Sequence, residues 1–175
     1  MELEKLMNMT KNFTVLFVED DKRSAKSSIS FFEEFFDKII YAQNGLEGFE
    51  KFKENSIDLI ITDLNMPKLN GLEMIKKIRK INRSVPIIIL TAYNESVFFM
   101  ESIKLGVEAY LLKPINFDKF TDALKKVSEC LYNKKENRKY IKILKDYYEF
   151  TAELKKRAKE NPESLANFIL NSFND

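Results

Sequence analysis

The sequence predicts an α/β fold in which five parallel strands, each followed by a helix, form one open sheet covered on both faces. Three observations carry this. Short apolar runs of strand type recur five times, at 13–18, 38–42, 57–62, 85–90 and 109–112. The first, third and fourth are almost continuously apolar, the pattern of parallel strands buried on both sides. The segments between the runs repeat their apolar residues at helical spacing. Right-handed crossovers then allow a doubly wound sheet and little else.

The elements follow in order. The first strand is Phe13-Thr14-Val15-Leu16-Phe17-Val18, and Ala25, Ile29, Phe32 and Phe36 make the helical stripe behind it. After the second strand come Leu46, Phe49 and Phe52. Leu72, Ile75, Ile78 and Ile81 follow the third. The fourth helix, near 95–105, is the weakest. Phe117, Phe120, Leu124, Val127 and Leu131 give the fifth and clearest stripe. These stripes are read as core packing.

Composition narrows the function. At 175 residues the chain holds one domain and an appendage, long enough for a core without a metal or disulfide staple. A net charge of +2 argues against a nucleic-acid or membrane-surface protein. The single cysteine, Cys130, allows no intrachain disulfide and fits a reducing, cytoplasmic compartment. There is no run long enough for a membrane span. The N-terminus, with Glu2 and Glu4, lacks the apolar core of a signal peptide. Histidine is absent, which excludes a Ser-His-Asp triad, a Cys-His dyad and any histidine ligand or base. Four glycines form neither of the common Gly-rich phosphate loops.

In an open parallel sheet, ligands bind beyond the carboxyl ends of the strands. Glu19-Asp20-Asp21 follow the first strand here, and Asp63-Leu64-Asn65-Met66-Pro67 the third. Thr91-Ala92 stand at the end of the fourth strand. The fifth contains Tyr110 and ends at Lys113-Pro114. Packed carboxylates at positions 19, 20 and 63 would raise one another's pKa, and a hard divalent cation such as Mg²⁺ would relieve them. Asp63, ionised at neutral pH, can attack a phosphoryl group without a base. A cation on one side and Lys113 on the other would supply the positioning that phosphoryl transfer needs, and Thr91 offers a hydroxyl to a phosphoryl oxygen.

These motifs, in this order, resemble the receiver domain of two-component response regulators, the chemotaxis receivers among them. The match rests on Val15 to Asp21, on Asp63 to Pro67 with Asn70-Gly71-Leu72, on Leu90-Thr91-Ala92 and on Ala109 to Pro114. It covers residues 12–133, about 70% of the chain. The resemblance implies a flavodoxin-like sheet of order 2-1-3-4-5. It implies Asp63 as phosphoacceptor and metal ligand, Asp20 as a direct Mg²⁺ ligand, Glu19 as a ligand through water, and Asn65 as a ligand through its main-chain carbonyl. Lys113 would pair with the phosphoryl oxygens, and its bond to Pro114 would be cis. Thr91 would move toward the phosphoryl group and Tyr110 would turn into the space left. Asn65 and Tyr93 stand where the hydrolysis rate of the aspartyl phosphate is tuned. The phosphodonor would be a sensor histidine kinase or a phosphotransfer protein, since this chain has no histidine to carry phosphate itself. The face of the fourth and fifth helices and the fifth strand would re-pack, output would pass to a downstream protein, and a homodimer would form through that fourth–fifth helix face or through residues 134–175.

Two other classes compete. A haloacid-dehalogenase-like phosphatase would need an acid two residues after the nucleophile, where Asn65 stands. A binding module that is never phosphorylated would have no need of Glu19, Asp20, Asp63, Thr91 and Lys113 together.

Residues 1–11 form an N-terminal segment, and 134–175 an α-helical extension that the resemblance does not cover. Its start, 134–145, holds six positive charges and one negative, read as a solvated helix face with no DNA-binding motif. Tyr140, Leu144, Tyr147, Thr151, Leu154 and Ala158 step by four and three, a heptad seam. Asn161-Pro162 reads as the start of a second helix, with Leu165, Phe168, Ile169 and Phe173 on its apolar side. The extension would dimerise, fold onto its own domain, or link to an output domain absent from this chain.

Overall fold

A computed structural model describes residues 2–92 and 96–160, without the side chains of Ser96, Arg138, Ala158 and Glu160. In chain order the elements are α1 (Leu3–Thr10), β1 (Thr14–Val18), α2 (Lys22–Phe32), β2 (Lys38–Ala42), α3 (Gly45–Glu54), β3 (Leu59–Thr62), α4 (Gly71–Ile81), β4 (Ile87–Thr91), α5 (Ser96–Lys104), β5 (Ala109–Leu112) and α6 (Phe117–Glu160). The chain forms two compact units, Met1–Leu131 and Tyr132–Asp175, and the boundary falls within α6. The expected second helix of the extension, from Asn161, lies outside the described residues, as does Tyr93.

The sheet is parallel throughout, in the order β2-β1-β3-β4-β5. β1, β3 and β4 lie inside it, and every residue of β3 and β4 is buried. Their unbroken apolar runs serve two cores at once, because successive side chains point to opposite faces. Val15 and Phe17 join Phe32, Leu124 and Val127 on one face, while Leu16 and Val18 join Leu72, Ile75 and Ile78 on the other. The first core is rich in phenylalanine: Phe32 packs edge-on to Phe17 at 5.1 Å and stacks with Phe120 at 5.4 Å. Such pairs add about 0.5–1.5 kcal/mol beyond area burial.

Three strands start later than their apolar runs, β1 by one residue and β3 and β4 by two. β4 begins after Pro86, which has no N–H for a ladder. β3 begins after Asp58, whose carboxylate accepts the Thr14 N–H at 2.9 Å. Phe36, expected in the first stripe, lies beyond the end of α2. It is nonetheless buried with Phe35, because both backbone N–H groups turn back onto the Phe32 carbonyl.

The N-terminal segment is a helix, and it belongs to the first unit. Leu6 and Thr10 of α1 are fully buried. The Thr10 hydroxyl donates to the Phe35 carbonyl at 3.0 Å, and the Lys11 ammonium donates to the Glu33 carbonyl at 3.0 Å. Eight residues give too short a periodicity to read as a helix in the sequence. What selects the helix is the apolar surface of Phe35 and its neighbours.

Candidate functional site

The register sets the site. Val18 pairs with Ala42 on one side and Thr62 on the other, so β1, β2 and β3 end level. Thr91 pairs with Leu112, so β4 and β5 also end level. Glu19, Asp63 and Lys113 each stand one residue past a strand end, on one rim.

The Asp63 carboxylate is only 7% exposed. Its backbone N–H continues the sheet by donating to Val18 O at 2.9 Å. Its Oδ1 accepts the Leu64 N–H at 2.5 Å, and its Oδ2 accepts the Lys113 ammonium at 2.6 Å. The loop that follows is clasped closely. The Gly71 N–H donates to Leu64 O at 2.8 Å, and a Cβ on Gly71 would lie 2.1 Å from Asp63 O. Glycine is required there because backbone meets backbone. Asn70 then caps α4, accepting the Glu73 N–H at 2.9 Å in a capping box, so the helix starts at a fixed point after the carboxylate.

Glu19 is buried to 1% exposure. Its Oε2 accepts from the Lys113 ammonium and, at 3.1 Å, from the Ser24 hydroxyl. The Tyr41 hydroxyl donates to its main-chain carbonyl at 2.8 Å. Burial pushes the Glu19 carboxyl above its ordinary value; Lys113 and Ser24 pull it back in part, and the charge of Asp63 adds to the rise. Burial also works against the Lys113 charge. The hydrogen bonds and charges of Asp63 and Glu19 outweigh it, and the ammonium titrates above the ordinary lysine value.

Lys113 thus joins two buried carboxylates that have few other donors. The crowding of acids that the sequence led us to expect is relieved by this ammonium. Asp20 stands apart from the pair: it is exposed, as is Asn65, whose N–H reaches Asp63 Oδ1 at 3.4 Å. Among the described residues no three acids, cysteines or histidines are grouped closely enough to hold a metal unaided. The donor set is still of the kind that suits Mg²⁺. It consists of oxygens only, and Asp20 is exposed to solvent, as suits an ion that retains several waters.

Thr91 is fully buried at the end of β4, and its carbonyl accepts the Lys113 N–H at 2.9 Å. Tyr110 is half-buried in β5, its ring edge-on to Phe99 at 5.5 Å and 86°. The Lys113–Pro114 peptide bond is cis. Sequence reasoning missed Ser24, Tyr41 and the Leu64 N–H. Ser24 left a signal, since Asp21 accepts its N–H at 2.7 Å and Asp-x-x-Ser reads as a helix start that turns the hydroxyl toward position 19. The Leu64 N–H left none, because any residue supplies one.

Residues 15–125 match the family model of the response regulator receiver domain. The chain belongs to that family. The receiver is 38% identical over 88 residues to the chemotaxis protein CheY of Thermotoga maritima, a match covering 50% of this chain and 73% of that one. It is 39% identical over 82 residues to the transcriptional regulatory protein ZraR of Klebsiella oxytoca, covering 47% of this chain. Of that longer regulator it spans 18%. Among solved structures, the N-terminal domain of a Wolinella succinogenes protein superposes with a TM-score of 0.65 at 32% identity, over 70% of this chain and 98% of that one. A chain of the CheX–CheY–BeF₃–Mg²⁺ complex of Borrelia burgdorferi gives 0.61 at 25% identity, over 66% and 88%.

Proposed function

We propose that Asp63 accepts a phosphoryl group from a sensor histidine kinase or phosphotransfer protein in a Mg²⁺-dependent transfer, and that the acyl phosphate switches the receiver to signal through protein contacts. The observation that carries this reading is the Lys113 ammonium, held on both Asp63 Oδ2 and the buried Glu19. An Asp63 oxygen attacks phosphorus, the bond to the donor breaks, and the donor leaves with the electron pair. Lys113, already beside the attacking carboxylate, follows the charge onto the phosphoryl oxygens. Bound Mg²⁺ would neutralise the developing charge. Asp20, Asp63 and the Asn65 carbonyl would hold it directly, and Glu19 through water. The complex of CheY with BeF₃ and Mg²⁺ from Borrelia lends support by kinship.

The switch we propose runs from Thr91 to Tyr110. The Thr91 hydroxyl moves to the new phosphoryl group, and the Tyr110 ring leaves Phe99 for the space vacated. The surface that would change includes Val97, Met100 and Ile103 of α5, which are 69%, 55% and 55% exposed. It suits an apolar partner protein. The chain is then a phosphoacceptor whose own chemistry ends with slow hydrolysis of its acyl phosphate. We place it in the cytoplasm, with the donors. Among the described residues no helix is long and apolar enough to cross a membrane.

The test is treatment with acetyl phosphate and Mg²⁺, read by intact mass. Wild type is expected to gain one phosphoryl group, and Asp63→Asn none. A wild-type chain left unmodified with and without Mg²⁺ overturns the reading.

A further inference from the structure

We propose that the C-terminal part of α6 is a homodimerisation helix, its apolar face covered by the same face of a second copy of this chain. Tyr140, Ile141, Ile143, Leu144, Tyr147 and Tyr148 are 54–68% exposed. At 3.6 residues per turn they fall within an arc of roughly 160°. The opposite arc carries Lys142, Lys145, Asp146, Glu149, Glu153 and Lys156. The division between faces is therefore clean over 140–149, with Lys155 returning to the apolar arc further on, and the sequence between 139 and 157 holds no glycine or proline to end the pattern.

The size of the face and its chemistry identify the occupant. The six side chains expose on the order of 700 Å² per copy, more than the largest apolar patch of a typical monomer. Two copies would bury on the order of 1,400 Å², within the range of specific protein interfaces. The arc is broader than the narrow seam of a two-stranded coiled coil, and three of the six residues are tyrosines, which suits a packed multi-helix interface with hydroxyls at its rim. A membrane surface is the poorer fit. The polar arc interleaves Asp146, Glu149 and Glu153 with its lysines, which weakens its attraction to anionic lipid even though 134–145 is basic, and the chain has no tryptophan to anchor at an interface. A self-complementary face is what a two-fold dimer requires. Pairing buries an apolar face that a lone helix leaves in water.

The experiment is sedimentation equilibrium of the full chain at micromolar concentration. Wild type is expected at twice 20.6 kDa, Leu144→Glu with Tyr147→Glu at the monomer mass, and Glu149→Lys, on the polar arc, at the dimer mass. Circular dichroism of the double variant shows whether its helix survives. Tyr147→Phe keeps the face apolar and is expected to remain dimeric, so loss of association in the double variant but not here reports the face itself. A monomeric wild type would mean that the face is covered within one chain, and it overturns the proposal. A double variant that stays dimeric overturns it as well, placing the contact elsewhere. Asp63→Asn is expected to dimerise like wild type, so this test stands or falls independently of phosphoryl transfer.

Discussion

Lys113 neutralises two buried carboxylates, and its protonation follows from that position. Its ammonium titrates above the ordinary value of 10.5 because Asp63 and Glu19 hold the charged form more strongly than burial opposes it. A raised folded value means that the folded chain keeps this proton after the unfolded chain has lost it. The stabilisation is complete below pH 10.5 and is lost as the pH rises through the higher folded value. Lys113→Gln is therefore expected to lower the thermal midpoint at pH 8 and to show a shallower decline than wild type above pH 10.5. Equal slopes for the two proteins would contradict the assignment. The candidate acids, Thr91 and Lys113 were legible from the sequence because each stands beside a strand end. That Lys113 bridges Glu19 and Asp63 while Asp20 stays in solvent was not legible, because rotamers are chosen by neighbours from four separate strands.

At the scale of elements, short helices depend on what they cover. α1 has eight residues, below the length at which a helix persists alone in water, and Leu6 and Thr10 fix it to the phenylalanine core. Leu6→Ala is expected to cost about 2–5 kcal/mol, read by urea unfolding of the full chain. A loss under 1 kcal/mol would mean that α1 is incidental to the core. α4 is set differently, since Asn70 and Glu73 cap each other within the helix itself. α4 is legible in the sequence through its stripe of Leu72, Ile75, Ile78 and Ile81, whereas the eight residues of α1 carry too short a stripe to read. α6 shows the opposite limit. Its stripe from Phe117 to Leu131 and the heptad steps from Tyr140 read as two separate helices, because the basic stretch between them interrupts the apolar pattern. The backbone continues through that stretch, whose lysines and arginine are good helix formers.

For the whole molecule, a ligand that binds only the folded receiver stabilises it by mass action, by about 2.7 kcal/mol at a hundredfold excess over Kd. Beryllofluoride with Mg²⁺, a mimic of the acyl phosphate, is expected to raise the thermal midpoint of wild type by roughly 5–15 °C and to leave Asp63→Asn unmoved. An equal rise in both would place binding away from Asp63. The chain spans about a fifth of the transcriptional regulators it matches, and its second unit, Tyr132–Asp175, lies outside the receiver match at residues 15–125.

Patterning alone fixed the sheet, its parallel strands and the acids and lysine on one rim, since burial on two faces demands unbroken apolar runs and strand ends are where runs stop. Only the tertiary structure decided that Leu3–Thr10 is a core helix and that Ser24 and Tyr41 support Glu19. It also decided that an ammonium, fifty residues along the chain from Asp63, neutralises the acid pair. Contacts between residues so far apart leave no period in a sequence. They exist only once the strands have brought their ends together.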